Sequence, residues 1–140
     1  MKIKKWIAGM AVSAMVLGMG CTSAMAEGDD GKVTIGWAMA YYDHPVYQLL
    51  MQGANEVAEG LDNCELIFAD GKNDATTQAS QIDNFIAQDV DAIILTAAVS
   101  DPMLPSVKKI NDAGIPLIVV DRRLQKQGQN VTWDCYVTWD

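Results

Sequence analysis

Basic residues are scarce in this chain: ten lysines and arginines stand against eighteen acids, a formal net charge of −8. That balance argues against nucleic acid and against an anionic membrane surface as partners. Histidine occurs once, at His44, and cysteine three times, at Cys21, Cys64 and Cys135. A zinc site draws about four such ligands from close spacings, so no metal centre is expected. The glycine patterns that cradle phosphates, G-x-G-x-x-G after a strand and G-x-x-x-x-G-K, are missing. So is the nucleophile elbow G-x-S-x-G. A Ser-His-Asp set would have to use His44 as its base, and no serine stands at a strand-to-helix elbow. Asp43 and Asp121 are available as a glycosidase-type carboxylate pair, but nothing in their spacing singles them out. The chain is expected to be no enzyme and to need no cofactor.

Long apolar runs are also in short supply. The longest, Trp6–Gly20, follows three lysines and precedes Ala24-Met25-Ala26. It is shorter than the ~20 residues that cross a bilayer. Charged start, apolar middle and small-x-small end make residues 1–26 a secretory signal, cleaved after Ala26. Lipidation of Cys21 is the rival reading, disfavoured because Gly18 stands where a leucine-like residue is usual. A soluble periplasmic or cell-envelope product beginning at Glu27 is therefore expected. It keeps all eighteen acids but loses three bases, and its remaining length suits one domain.

From Val33 onward, short apolar runs alternate with amphipathic stretches. Strands are predicted at Val33–Met39, Cys64–Ala69, Ala92–Leu95, Ile115–Val120 and near Cys135–Thr138. A helix opens at Pro45, its apolar stripe formed by Val46, Leu49, Leu50, Ala54, Val57, Ala58 and Leu61. A second, Ala75–Gln88, buries Ala79, Ile82, Phe85 and Ile86; a third opens at Asp101-Pro102, turns Leu104, Val107, Ile110 and Ala113 inward and stops at Gly114. Such alternation makes βαβ units, hence an α/β doubly wound parallel sheet with right-handed crossovers. In a 2-1-3-4-5 strand order, Cys64 and Cys135 lie at opposite edges, roughly four spacings of about 4.8 Å apart, beyond disulfide reach. The sequence stops directly after the fifth strand, which would leave that strand uncovered, so the 140 residues are expected to be a fragment.

Ligands of open α/β sheets bind beyond the carboxyl ends of the strands. The residues there are Tyr41, Tyr42, Asp43, His44 and Tyr47; Asp70; Thr96 and Ser100-Asp101; Asp121-Arg122-Arg123; and Trp139-Asp140. Rings that stack on C–H faces, with fixed carboxylates and a guanidinium for hydroxyls, match a sugar. Asp70 and Ser100 read as turn caps, His44 equally as helix cap or contact, and Trp37 as core. Asp121-Arg122 is the strongest pair, a strand-end acid that either meets ligand or is satisfied internally by its neighbour.

These residues also carry a resemblance. Asp43-His44-Pro45-Val46-Tyr47, the run Val90–Leu95 with Ser100-Asp101, and Asn111–Pro116 continuing to Val120-Asp121-Arg122 resemble the type I periplasmic binding proteins of sugar import, the family of the ribose, galactose and xylose receptors. The resemblance covers Val33 to Asp140. It implies the N-terminal lobe of a two-lobed receptor that closes on a monosaccharide and delivers it to the membrane permease of an ABC importer. It implies ligand contacts at His44, Tyr47, Thr96, Asp121 and Arg122, with Tyr42 and Asp140 beside them, in a monomer. His44, Val46 and Thr96 depart from the ribose-type pattern, so the sugar is not named. A lobe serving a chemoreceptor or sensor kinase is the alternative; a secreted hydrolase ranks lower. A LacI-type regulator would need a DNA-binding segment where the signal stands.

Overall fold

A computed structural model describes residues 31–125 and 130–138. The expected signal, Cys21 and the candidate contact Asp140 lie outside the described residues. Among the described residues eight elements follow one another: β1 (Val33–Met39), α1 (Pro45–Glu59), β2 (Cys64–Asp70), α2 (Ala75–Ala87), β3 (Ala92–Leu95), α3 (Ser100–Ala113), β4 (Leu117–Val120) and β5 (Cys135–Val137). The strands form one parallel sheet in the order β2-β1-β3-β4-β5. The expected order and all eight elements are present. The fourth strand starts two residues later than expected because Pro116, which has no N–H, stands before Leu117. Among the described residues no helix is long and apolar enough to cross a membrane.

Two of the helices are capped by a side chain at their start, and α3, which begins at Ser100, has no such cap. His44 caps α1, its Nδ1 accepting the Val46 N–H at 3.3 Å, and Asp74 caps α2 through Thr77 N–H at 2.7 Å. The Asp74 carboxyl is held below its ordinary value chiefly by that Thr77 bond. Gly114 ends α3 with φ +72°, where a Cβ would strain the backbone.

The two faces of the sheet are covered unequally. On one, α2 and α3 bury Ile82, Phe85, Met103, Leu104, Val107 and Ile110 against Ala38, Ile93, Leu95, Leu117 and Val119. Phe85 lies so close over Gly36 that a Cβ there would come within 2.7 Å of its ring. The opposite face presents the alternate residues of the same strands, Trp37, Met39, Ile94, Ile118 and Val120, and meets α1. Here the expectation of a fully buried stripe on α1 fails. Tyr47 is its one buried residue, Leu50, Ala54 and Ala58 are half-buried, and Val46, Leu49, Val57 and Leu61 are exposed. A largely apolar groove of about 450 Å³ runs between α1 and the sheet, lined by Trp37, Leu50, Ala54, Leu66 and Ile94 among others. The stripe is amphipathic as read, but one helix does not cover a five-stranded face. Ala113 likewise proves exposed rather than inward.

Gln78 is the polar element of the core that periodicity did not find. It is wholly buried, donates to the carbonyls of Ala38 (3.2 Å) and Thr96 (2.9 Å), and accepts the Ala98 N–H at 2.8 Å. It thereby ties together the ends of β1 and β3, the two strands flanking the point where the winding reverses.

Candidate functional site

That reversal point opens a crevice at the carboxyl ends of the strands, the usual ligand position in such sheets. The turn after β2 is laced to the end of β1: Gly71 N–H donates to Met39 O at 2.9 Å and Asn73 N–H to Ala40 O at 2.7 Å. A Cβ on Gly71 would stand 2.5 Å from the Met39 carbonyl oxygen, so only glycine permits this approach. Lys72 and Asn73 both take positive φ, +51° and +54°, while the Asp70 carboxylate accepts the Lys72 N–H at 2.9 Å. Asp70 is thus a turn cap, as its position suggested. Ser100 instead is the first residue of α3, and its hydroxyl accepts the Gln125 N–H at 2.9 Å, tying the helix start to the segment after β4 rather than capping its own turn.

Across the crevice stands an aromatic cluster with the Asp121-Arg122 corner. Tyr41 meets Tyr47 edge-on at 5.2 Å between ring centres and His44 at 6.1 Å, and His44 lies 5.3 Å from Tyr47. Tyr47 donates its hydroxyl to Asp121 Oδ2 at 2.6 Å, and the Arg122 guanidinium lies 5.7 Å over the Tyr41 ring. Burial first, and the Asp121 bond second, push the Tyr47 phenol up to about 12. Burial, then the Asp70 charge, raises that of Tyr42. The internal partner of Asp121 is therefore Tyr47, a residue 74 positions away in the chain, and not the adjacent guanidinium. Arg122 instead donates to the carbonyl of Ala98.

Between these walls lies a polar pocket of about 340 Å³ lined by Tyr41, Asp43, Asp70, Lys72, Asn73 and Arg122. It offers two carboxylates, an ammonium, an amide and a guanidinium around one aromatic face. Such a wall replaces the water on a polyhydroxylated molecule with fixed donors and acceptors.

The structure brings four of the sequence candidates, His44, Tyr47, Asp121 and Arg122, into one constellation. Of these Arg122 lines the pocket, His44 is occupied as a helix cap, and Tyr47 is buried beneath it. Tyr42 is half-buried beside the same wall. Thr96 is wholly buried, its hydroxyl accepting the Trp37 indole N–H at 3.1 Å, and faces inward rather than into the pocket. Lys72 and Asn73 were not singled out from sequence. Their signal was the Gly-Lys-Asn-Asp turn directly after a strand, which reads as connection until its backbone is seen folded over the end of β1.

A parallel doubly wound sheet with a polar pocket at its reversal point is an arrangement in which α/β folds take small molecules. A family profile described as "Periplasmic binding protein domain" matches residues 35–140, and the chain belongs to that family. A putative rhizopine-binding protein of Rhizobium meliloti is 41% identical over 120 residues, covering 86% of this chain and 36% of the relative. A xylitol-binding protein of Mycolicibacterium smegmatis is 32% identical, over 84% of this chain and 34% of its own length. Among solved structures, an ABC transporter solute binding protein from Bacillus halodurans with bound myo-inositol superposes with a TM-score of 0.61 at 38% identity, covering 69% of this chain and 33% of that one. The chain thus spans about a third of the length of these relatives.

Proposed function

We propose that this chain supplies one wall of the ligand site of an extracytoplasmic solute-binding protein, taking a monosaccharide or related polyol for an ABC importer. The observation that carries the reading is the polar pocket at the carboxyl ends of the strands, with Arg122 fixed over Tyr41. The names of the relatives support it, since they are binding proteins for rhizopine and xylitol and a solute binding protein holding myo-inositol. Export by the leader at residues 1–26 is part of the same reading. Arg122, Asp43, Asp70, Lys72 and Asn73 would meet the hydroxyls, Tyr41 would take a C–H face, and His44, Tyr47 and Asp121 would hold that wall in shape.

A single wall makes about half the contacts of a closed site. Residues 27–140 alone should therefore bind with a dissociation constant above about 1 mM, corresponding to less than about 4 kcal/mol. Titration of the isotope-labelled chain with myo-inositol, xylitol and D-ribose, followed by amide NMR shifts, tests this. Weak, saturable shifts at Tyr41, Asp43, Lys72, Asn73 and Arg122, lost in Arg122→Ala, are expected. Shifts confined to another surface, or none for any of the three, would overturn the assignment of the site.

A further inference from the structure

The corner that aims Arg122 is built on an unfavourable backbone. Asp121 has φ +67°, and the Arg122 N–H returns to the Val120 carbonyl at 2.9 Å, closing a three-residue γ-turn of positive φ on Asp121. This turn is rare and strained for any residue with a Cβ, and it persists only where its surroundings over-determine it. Here the surroundings are β5. The Asp121 N–H donates to Val137 O at 2.8 Å, and the Tyr136 hydroxyl donates to the Asp121 carbonyl at 2.8 Å. The Tyr136 ring then lies under the next residue of the corner, with the Arg123 guanidinium 5.5 Å from its centre.

β5 is only three residues long, yet it is anchored from both neighbours. Asn111, near the end of α3, exchanges two bonds with the backbone of Thr132, at 2.9 and 2.8 Å. Asp134 exchanges two with Leu117, donating its N–H at 2.8 Å and accepting through its carboxylate at 2.9 Å. Tyr136 therefore holds the corner from a fixed base.

We propose that Tyr136 is a positioning residue for the ligand site: its hydroxyl, bound to the Asp121 carbonyl, keeps the strained turn in the one conformation that directs Arg122 over Tyr41 and into the pocket. The proposal rests on the pocket being the ligand site. Tyr136 is not among the residues that line the pocket, and it acts through the peptide between Asp121 and Arg122. With the hydroxyl gone, that peptide is free to relax toward negative φ, which turns the Asp121 carboxylate from Tyr47 and the guanidinium from Tyr41.

Tyr136→Phe removes the hydroxyl and keeps the ring under Arg123. Its control is Val131→Ala, which loosens the segment leading into β5 at a buried site and leaves the hydroxyl in place. Two readouts separate the possibilities: the Tyr47 13Cζ shift, which senses donation to the Asp121 carboxylate in the ligand-free chain, and the initial slope of the myo-inositol titration. Tyr136→Phe should move the Tyr47 signal toward that of an unbonded phenol and lower the slope by about tenfold, the worth of one good hydrogen bond. Val131→Ala should lower the melting temperature and change neither readout. Equal effects of the two variants, or an unmoved Tyr47 signal in Tyr136→Phe, would overturn the positioning role. Absence of myo-inositol, xylitol and D-ribose binding to the unsubstituted chain would sink the site reading and with it the ligand part of this proposal, while the Tyr47 signal would still decide whether the hydroxyl holds the turn.

Discussion

Two buried side chains, Tyr47 and Gln78, join distant segments by hydrogen bonds, and each makes a distinct prediction. Tyr47 carries a phenol raised from 10.0 to about 12, so its proton is bound more tightly in the folded chain than in the unfolded one. Its contribution to stability is full below pH 10 and is lost as pH rises toward 12. Tyr47→Phe should cost about 1 kcal/mol at neutral pH and flatten that alkaline limb, as read from urea midpoints across the range. Gln78 satisfies two carbonyls and one N–H in a site without water access. Gln78→Leu, similar in volume, should cost about 3 kcal/mol because those groups are left unpaired in the core. A loss under about 1 kcal/mol would mean that the ends of β1 and β3 find other partners. Neither role was legible in the sequence. A glutamine inside a helical pattern reads as a solvated residue, and the partner of Tyr47 lies 74 residues on, set only by the sheet order.

At the scale of elements, the period of apolar residues was enough to place the three helices and five strands of the described residues, because each strand is a short run rich in apolar residues and each helix carries an apolar stripe. Periodicity also identified the stripe of α1 but not how much of it is covered. Which residues a helix buries depends on what stands opposite, and the chain places two helices on one face of the sheet and one on the other. Leu49 and Val57, 68% and 67% exposed, are therefore the least committed apolar residues of α1. Leu49→Gln and Val57→Gln should each change stability by less than about 0.5 kcal/mol and reduce binding of a hydrophobic dye. A loss of about 2 kcal/mol or more in urea unfolding would show that they are buried in solution. The site is legible to the same degree. Loops at strand ends were located correctly, since topology alone puts them at one end of the sheet. Tyr41, Asp43, Asp70 and Arg122, which line the pocket, stand among those strand-end residues, whereas Lys72 and Asn73 do not, because they reach the pocket only through a turn of positive φ folded over the end of β1.

At the scale of the whole molecule, the winding order separates the termini of the sheet: β2 and β5 form its two margins, and each carries one free cysteine, Cys64 half-buried and Cys135 exposed. Spin labels on the pair, with Cys21 removed, should report a backbone separation of about 23 Å broadened by the label arms, four strand spacings across and four residues along, because the register sets Cys135 level with Phe68. A distance under about 10 Å would contradict the strand order. The same placement has a chemical consequence in an oxidising compartment. These two thiols cannot close on each other inside one folded chain, so a disulfide joining Cys64 to Cys135 must link two copies of the chain. A ladder on a non-reducing gel would therefore record encounters between molecules, and its growth with time would serve as a clock for collisions edge to edge.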